Sequence, residues 1–243
     1  MVNFFIVGAQ RSATTWLYSA LAQSDEVCML KPLFPEVKYF LKPIDAINPK
    51  EYLSLFKPAA EQFIFGNKAT SYLDSPETAC KIKKTFPSAK IIICLRDPVE
   101  RALSNYFFSY SHGLESRTLE EVFLKEVPPP HINLNNFSSN PFCYLERGLY
   151  SLYLPHYCNL FSPDQVLITF YENFLSSDVE FLKIVDFIGA SSPRFPPPID
   201  RLNESPRIQQ VSNDIILKLQ KYYQRDREIL TRDYNLDIPY IYT

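Results

Sequence analysis

Two short stretches of this 243-residue chain set cations and hydroxyls at spacings that suit an anion. The first, Gly8-Ala9-Gln10-Arg11-Ser12-Ala13-Thr14-Thr15, follows an apolar run at residues 3–7 and precedes Trp16, Leu17, Ala20 and Leu21, which recur at helical spacing. A loop between a strand and a helix points backbone N–H groups and the positive end of the helix dipole at one place, where a phosphate or similar anion fits. Arg11 puts a cation inside that loop, and Ser12, Thr14 and Thr15 add donors, so charge can be met without a metal. The plainer reading is a helix start capped by hydroxyls. The nucleoside-triphosphatase loop requires Gly, four residues, then Gly-Lys-Ser/Thr, and here Ala13 and Thr14 stand at the second Gly and the Lys. A Mg-dependent NTPase is therefore disfavoured.

The second stretch, residues 95–104 (LRDPVERALS), puts Arg96 at the carboxyl end of the apolar run KIIICL at residues 90–95. Ligands of open α/β sheets gather at that edge. Asp97 and Pro98 fit the N-cap and first position of a helix, and Ala102, Leu103, Tyr106, Phe107 and Tyr110 form its buried stripe. The competing reading is a surface ion network of Arg96 and Arg101 with Asp97 and Glu100.

The elements that must position these residues alternate apolar runs with amphipathic stretches, which predicts parallel strands joined by helices. Strands are expected at residues 3–7, 90–95 and 166–170, with 90–95 central and covered on both faces. Helices are expected at 14–22, at 179–188 closed by Gly189, and at 213–234. The expectation is a single α/β domain over residues 1–243, a central, mainly parallel sheet flanked by helices. Residues 112–142 break the rhythm and read as an irregular insertion near the acceptor site, and a second Pro-rich run lies at 192–198.

Composition limits what such a domain can be. With 46% hydrophobic and 21% charged residues the chain is neither disordered nor a coiled coil. A formal charge of −2 gives no global field for nucleic acid, so any anion site is local. No stretch approaches the roughly 20 apolar residues of a membrane helix, and the first apolar run begins too early for a signal peptide, so a cytoplasmic location is expected. The five cysteines lack a C-x-x-C pair, which indicates neither a zinc site nor a disulfide framework; a Cys143–Cys158 bridge stays open. Oligomeric state has no signature in the sequence.

Taken together, the two loops resemble those of the sulfotransferases that use 3′-phosphoadenosine 5′-phosphosulfate (PAPS). The first loop is similar to that family's 5′-phosphosulfate loop, and LRDPVERALSNY to its 3′-phosphate motif. Further segments look most like the glycan (heparan-sulfate type) branch and its bacterial relatives: residues 35–40 resemble the segment with its catalytic Glu, 67–72 its Lys-Thr-Pro segment, and 203–209 its C-terminal phosphate loop. Tyr171-Glu172-Asn173 carries a weaker, family-wide similarity. The resemblance covers most of the chain outside 112–142 and implies a P-loop-like fold. It implies a donor site of Arg11, Ser12, Ala13, Thr14, Thr15, Arg96, Ser104 and Arg207, and a catalytic set of Glu36, Lys68, Arg11 and Lys38 with Glu36 as base. The chain departs from the pattern where Arg11 replaces a Lys, Ser12 and Ala13 replace glycines, and Lys68-Ala69-Thr70 replaces Lys-Thr-Pro.

The implied reaction moves the sulfuryl group of PAPS to a hydroxyl, or an amine, of a carbohydrate or small metabolite. It leaves 3′-phosphoadenosine 5′-phosphate (PAP) and needs no metal. Competing readings are a degenerate P-loop kinase or NTPase and a non-catalytic nucleotide-binding protein. His112, His131 and His156 are competing bases outside the matched motifs.

Overall fold

The structure, a computed structural model, describes residues 2–131, 140–191 and 209–239. In chain order these form β1 (Phe4–Gly8), α1 (Thr14–Leu21), β2 (Val27–Met29), α2 (Pro49–Ser54), β3 (Ile64–Lys68), α3 (Pro76–Thr85) and β4 (Lys90–Leu95). Then follow α4 (Pro98–Ser111), α5 (Leu119–Phe123), α6 (Leu154–Cys158), β5 (Val166–Phe170), α7 (Tyr171–Ser176), α8 (Asp178–Ile188) and α9 (Asn213–Tyr234). Their packing divides the chain into two compact units, Met1–Leu95 with Tyr153–Asn203, and Arg96–Leu152 with Glu204–Thr243.

The first unit holds a five-stranded sheet in the order β2-β3-β1-β4-β5, every pair parallel. Alternate strand residues face opposite sides, and both sides are covered. Phe4, Ile6, Ile92 and Cys94 pack with Trp16 and Leu17 of α1 and Phe181, Ile184 and Ile188 of α8. On the other side, the Phe5 ring meets Phe40, Tyr52 and Phe86.

Strand β4 spans the residues expected of it and is interior, but the middle strand of the five is β1 rather than β4. An unbroken apolar run reports cover on both faces, which two neighbouring strands share; it does not rank them. Strands β2 and β3 lie outside the periodicity reading. β2 has only three residues, and β3 reads Ile-Phe-Gly-Asn-Lys, ending in two buried polar residues. Gly66 in β3 is required by close approach, since an added Cβ would lie 2.2 Å from the Phe4 ring.

In the second unit, Asp97 caps α4 by accepting from Val99 N at 2.8 Å and Glu100 N at 3.2 Å, with Pro98 at the first helical position, as read from sequence. Helices α4, α5 and α9 enclose Tyr106, Phe107, Phe123, Tyr144, Leu219 and Tyr223. Helix α5 corrects the expectation for residues 112–142: a Thr118–Glu121 capping box starts a helix whose Leu119 and Phe123 enter this core. Ahead of it, Glu115 accepts from Arg117 at 2.6 Å and from the Tyr144 hydroxyl at 2.9 Å. Residues 132–139 of the insertion and the Pro-rich run at 192–198 lie outside the described residues. None of the five cysteines, Cys143 and Cys158 included, is joined in a disulfide.

Candidate active site

The first loop leaves the carboxyl end of β1 through Gly8, whose φ of 153° and a neighbouring Leu73 Cβ, 2.8 Å from any added Cβ, exclude larger residues. Arg11 at φ 70° and Ala13 at φ 53° hold left-handed backbone that costs a non-glycine residue about 1–2 kcal/mol each. Such strain persists where surrounding structure or a ligand requires it. Ala13 is the N-cap of α1, and no side chain caps the helix. The N-cap position thus falls on an alanine rather than on one of the hydroxyl residues, and the positive end of the helix opens onto the loop. Ser12 is 0% exposed and its Oγ finds no hydrogen-bond partner, a donor buried at a cost unless something polar meets it. These features fit an anionic group.

Thr15, in the first turn of α1, ties this loop to a second group of residues. Its Oγ1 accepts from Lys68 Nζ at 3.2 Å, and the same Nζ lies 2.6 Å from Glu36 Oε1. Lys38 Nζ is 3.8 Å from Glu36 Oε2. The Lys68 side chain is only 2% exposed and that of Glu36 10%, so this pair works with little screening by water. Lys68 ends β3, which sits beside β1 with Ile6 paired to Lys68, and this register brings the lysine under the loop.

Glu36 is supplied by a turn held from below. Thr70 N donates to Glu36 Oε2 at 3.0 Å, and Thr70 Oγ1 lies 3.2 Å from both carboxylate oxygens. Asn67 Nδ2 and the Tyr72 hydroxyl both donate to Val37 O, at 3.3 and 3.2 Å, and Phe40 N donates to the Tyr72 hydroxyl. Burial pushes the Tyr72 phenol well above its ordinary range, which keeps it a donor. Asn67, Thr70 and Tyr72 were not singled out by residue type, although they lie in the stretch 67–72 that carries the resemblance.

The structure thus brings Arg11, Ser12, Ala13, Thr14, Thr15, Lys68, Glu36 and Lys38 into one neighbourhood of the first unit. The second unit holds Arg96 and Ser104. Arg96 makes an ion pair with Glu100 at 3.0 Å, and its carbonyl accepts from the Tyr150 hydroxyl at 2.9 Å. Ser104 lies on α4, partly exposed. The expected ion network is only half present. Asp97 pairs with Arg227 at 3.0 Å, and Arg101 is wholly buried, donating to Tyr144 O and to Asn105 at 3.3 Å. Arg207 lies outside the described residues.

Of the competing histidines, His112 ends α4, with Nδ1 2.8 Å from Phe108 O and its ring against Phe108. His156 lies in α6, where burial lowers its pKa. Among the described residues no group of three or more His, Cys, Asp or Glu is placed to hold a metal ion. No helix among them is long and apolar enough to cross a membrane.

The family model described as "Sulfotransferase family" matches residues 3–193. "Bifunctional heparan sulfate N-deacetylase/N-sulfotransferase 2" of Bos taurus is 27% identical over 200 residues, 77% of this chain and 22% of the relative. "Membrane-associated sulfotransferase kil1" of Dictyostelium discoideum is 33% identical over 111 residues, 44% of this chain and 23% of the relative. The chain thus spans less than a quarter of the length of these two relatives, at 22% and 23%. A solved sulfotransferase from Alicyclobacillus acidocaldarius superposes with a TM-score of 0.80 at 24% identity, covering 98% of this chain and 97% of that one. This likeness shows a common fold, a parallel sheet flanked by helices with a P-loop-like first turn.

Proposed function

From the premise that the chain belongs to the sulfotransferase family, we propose that it transfers a sulfuryl group from PAPS to a hydroxyl, or an amine, of a carbohydrate or small-metabolite acceptor. The observation that carries this reading is the chain of contacts from the anion loop to a carboxylate: Thr15 Oγ1, Lys68 Nζ, Glu36 Oε1, at 3.2 and 2.6 Å. In-line transfer needs a base at the attacking oxygen and positive charge at the leaving oxygen, and these contacts set a carboxylate and an anion loop on either side of one ammonium.

Glu36 takes the proton of the acceptor hydroxyl as its oxygen forms a bond to sulfur. The bond from sulfur to the bridging oxygen breaks, and the electron pair leaves on the 5′-phosphate of PAP. Arg11, Lys68 and the N–H groups at the start of α1 meet the charge that collects there, a fixed arrangement of a kind that contributes about 3–4 kcal/mol. Arg11 offers a planar, permanently charged fork in place of the family's lysine. Lys38 adds positive potential beside Glu36. By resemblance, Arg96, Ser104 and Arg207 hold the 3′-phosphate of the donor. The heparan sulfate sulfotransferases among the relatives support a glycan acceptor.

The test is transfer of labelled sulfuryl from PAPS to a panel of oligosaccharide acceptors in excess EDTA. Turnover is expected to persist, since cationic side chains occupy the role that Mg fills in kinases. Loss of turnover restored only by a divalent ion would overturn the mechanism.

A further inference from the structure

We propose that Thr70 is the positioning residue of the base, holding Glu36 in place when Lys68 turns from the carboxylate to the donor. This rests on the reading of Glu36 as base. At the position where the resembled Lys-Thr-Pro segment has proline, this chain has a residue with two donors aimed at one carboxylate: the Thr70 N–H at 3.0 Å from Oε2, and Oγ1 at 3.2 Å from both oxygens. A proline offers neither.

Counting lone pairs gives these bonds a role. A carboxylate accepts about four hydrogen bonds. Oε1 takes Lys68; Oε2 takes the Thr70 N–H and faces Lys38 Nζ at 3.8 Å, too long for a hydrogen bond; when the Thr70 hydroxyl turns to Oε1, Oε2 keeps a lone pair for the acceptor's proton. Thr70 Oγ1 has a single proton and stands equidistant from both oxygens, so it can serve whichever one is not being protonated.

Lys68 cannot hold Glu36 alone through the reaction. Its ammonium is already shared between Glu36 and Thr15, and Thr15 lies in the first turn of the helix whose N-terminus opens onto the loop. Negative charge arriving there competes for the same ammonium. The Thr70 N–H does not move with Lys68, because it belongs to the turn at Thr70–Tyr72, which Tyr72 anchors through Val37 and Phe40. One bond from that N–H fixes Oε2 but lets the carboxylate pivot about it; the Thr70 hydroxyl, 3.2 Å from both oxygens, stops the pivot, and with the two bonds together Glu36 keeps its aim after the exchange.

The experiment compares Thr70→Val and Thr70→Ser with the native chain, in sulfuryl transfer and in PAP calorimetry. Val removes the hydroxyl at nearly constant shape, and loss of a hydrogen bond to a charged group is expected to lower kcat about tenfold or more. Acceptor KM and PAP affinity are expected to stay within about twofold, the split that marks loss of an interaction made in the transition state. Ser restores the hydroxyl and is expected to retain most of kcat. In a Glu36→Gln background, Thr70→Val is expected to cost no more than about twofold further, because the two residues act as one unit.

Equal loss with Val and Ser, full additivity in the Gln background, weakened PAP binding, or unchanged kcat in Thr70→Val would each overturn the proposal. A Glu36→Gln variant with native turnover would instead overturn the reading of Glu36 as base. A structure of Thr70→Val with PAP gives an answer independent of turnover. The Glu36 carboxylate is expected to have swung from its native place, and finding it there with Lys68 on the nucleotide would overturn the proposal.

Discussion

Glu36 and Lys68 make a nearly buried ion pair at 2.6 Å, and in the proposed reaction they must also come apart, the one to accept a proton and the other to meet a phosphate. Replacing Glu36 by Gln keeps the shape and one acceptor oxygen but removes the base, so turnover is expected to fall about a hundredfold or more while PAP binding holds. Initial-rate assays paired with calorimetry check this. Near-native turnover would place the base elsewhere, and loss of PAP binding would make Glu36 a support of the loop. Both residues were legible through the resemblance of residues 35–40 and 67–72. Thr70 was not. Its part depends on a backbone N–H that every residue but proline carries and on a hydroxyl whose aim is set by a turn, and neither is visible in a one-letter code.

At the scale of elements, the sequence signals that succeeded are those with one physical cause. The apolar run of β4, the Asp97-Pro98 start of α4 and the Gly189 end of α8 each report a local requirement, and each appears where expected. The signals that failed had two causes at once: β3 ends in Asn67 and Lys68, whose side chains bond to Val37, Thr15 and Glu36, so its hydrophobic pattern stops short. The α5 segment hid behind its charges and the prolines that follow at 128–130. Its anchor is Glu115, whose side chain is fully buried against Arg117. Burial alone would raise the Glu115 carboxyl, but hydrogen bonds from Arg117 and Tyr144 outweigh it and hold the group below the ordinary carboxylate range.

A carboxyl depressed in the folded state contributes stability that is fully present above its unfolded pKa, about 4.3 for Glu, and that is lost as pH falls through the folded value. Glu115→Gln is expected to be less stable than the native chain at pH 7 and to lose less on acidification, read by urea titration at neutral and acid pH. Parallel pH curves for the two proteins would contradict this account of Glu115. Glu115→Ala strands a mostly buried guanidinium and is expected to cost about 3 kcal/mol or more in the same titration.

At the scale of the whole molecule, the formal charge of −2 leaves room only for a local anion site, and Arg11 and Lys68 lie at the carboxyl ends of the parallel strands β1 and β3. The sheet and its flanking helices were legible because α/β alternation is written along the entire chain. Its division into two units was not, since unit boundaries depend on which helices share a core, and α9 joins α4 across more than a hundred residues of sequence. The donor residues expected from the resemblance fall in both units, with Arg11 to Thr15 in one and Arg96 and Ser104 in the other. The second phosphate of the nucleotide is the most telling probe, because a general phosphate-binding loop would be indifferent to it. The decisive measurement is calorimetric titration with PAP and with AMP, alongside an Arg96→Ala variant. PAP is expected to bind about ten to a hundredfold more tightly than AMP, the equivalent of one charged hydrogen-bond cluster, and Arg96→Ala is expected to remove that margin. Equal affinity for the two nucleotides, or an Arg96→Ala variant that binds PAP like the native chain, would contradict the assignment of PAPS as donor.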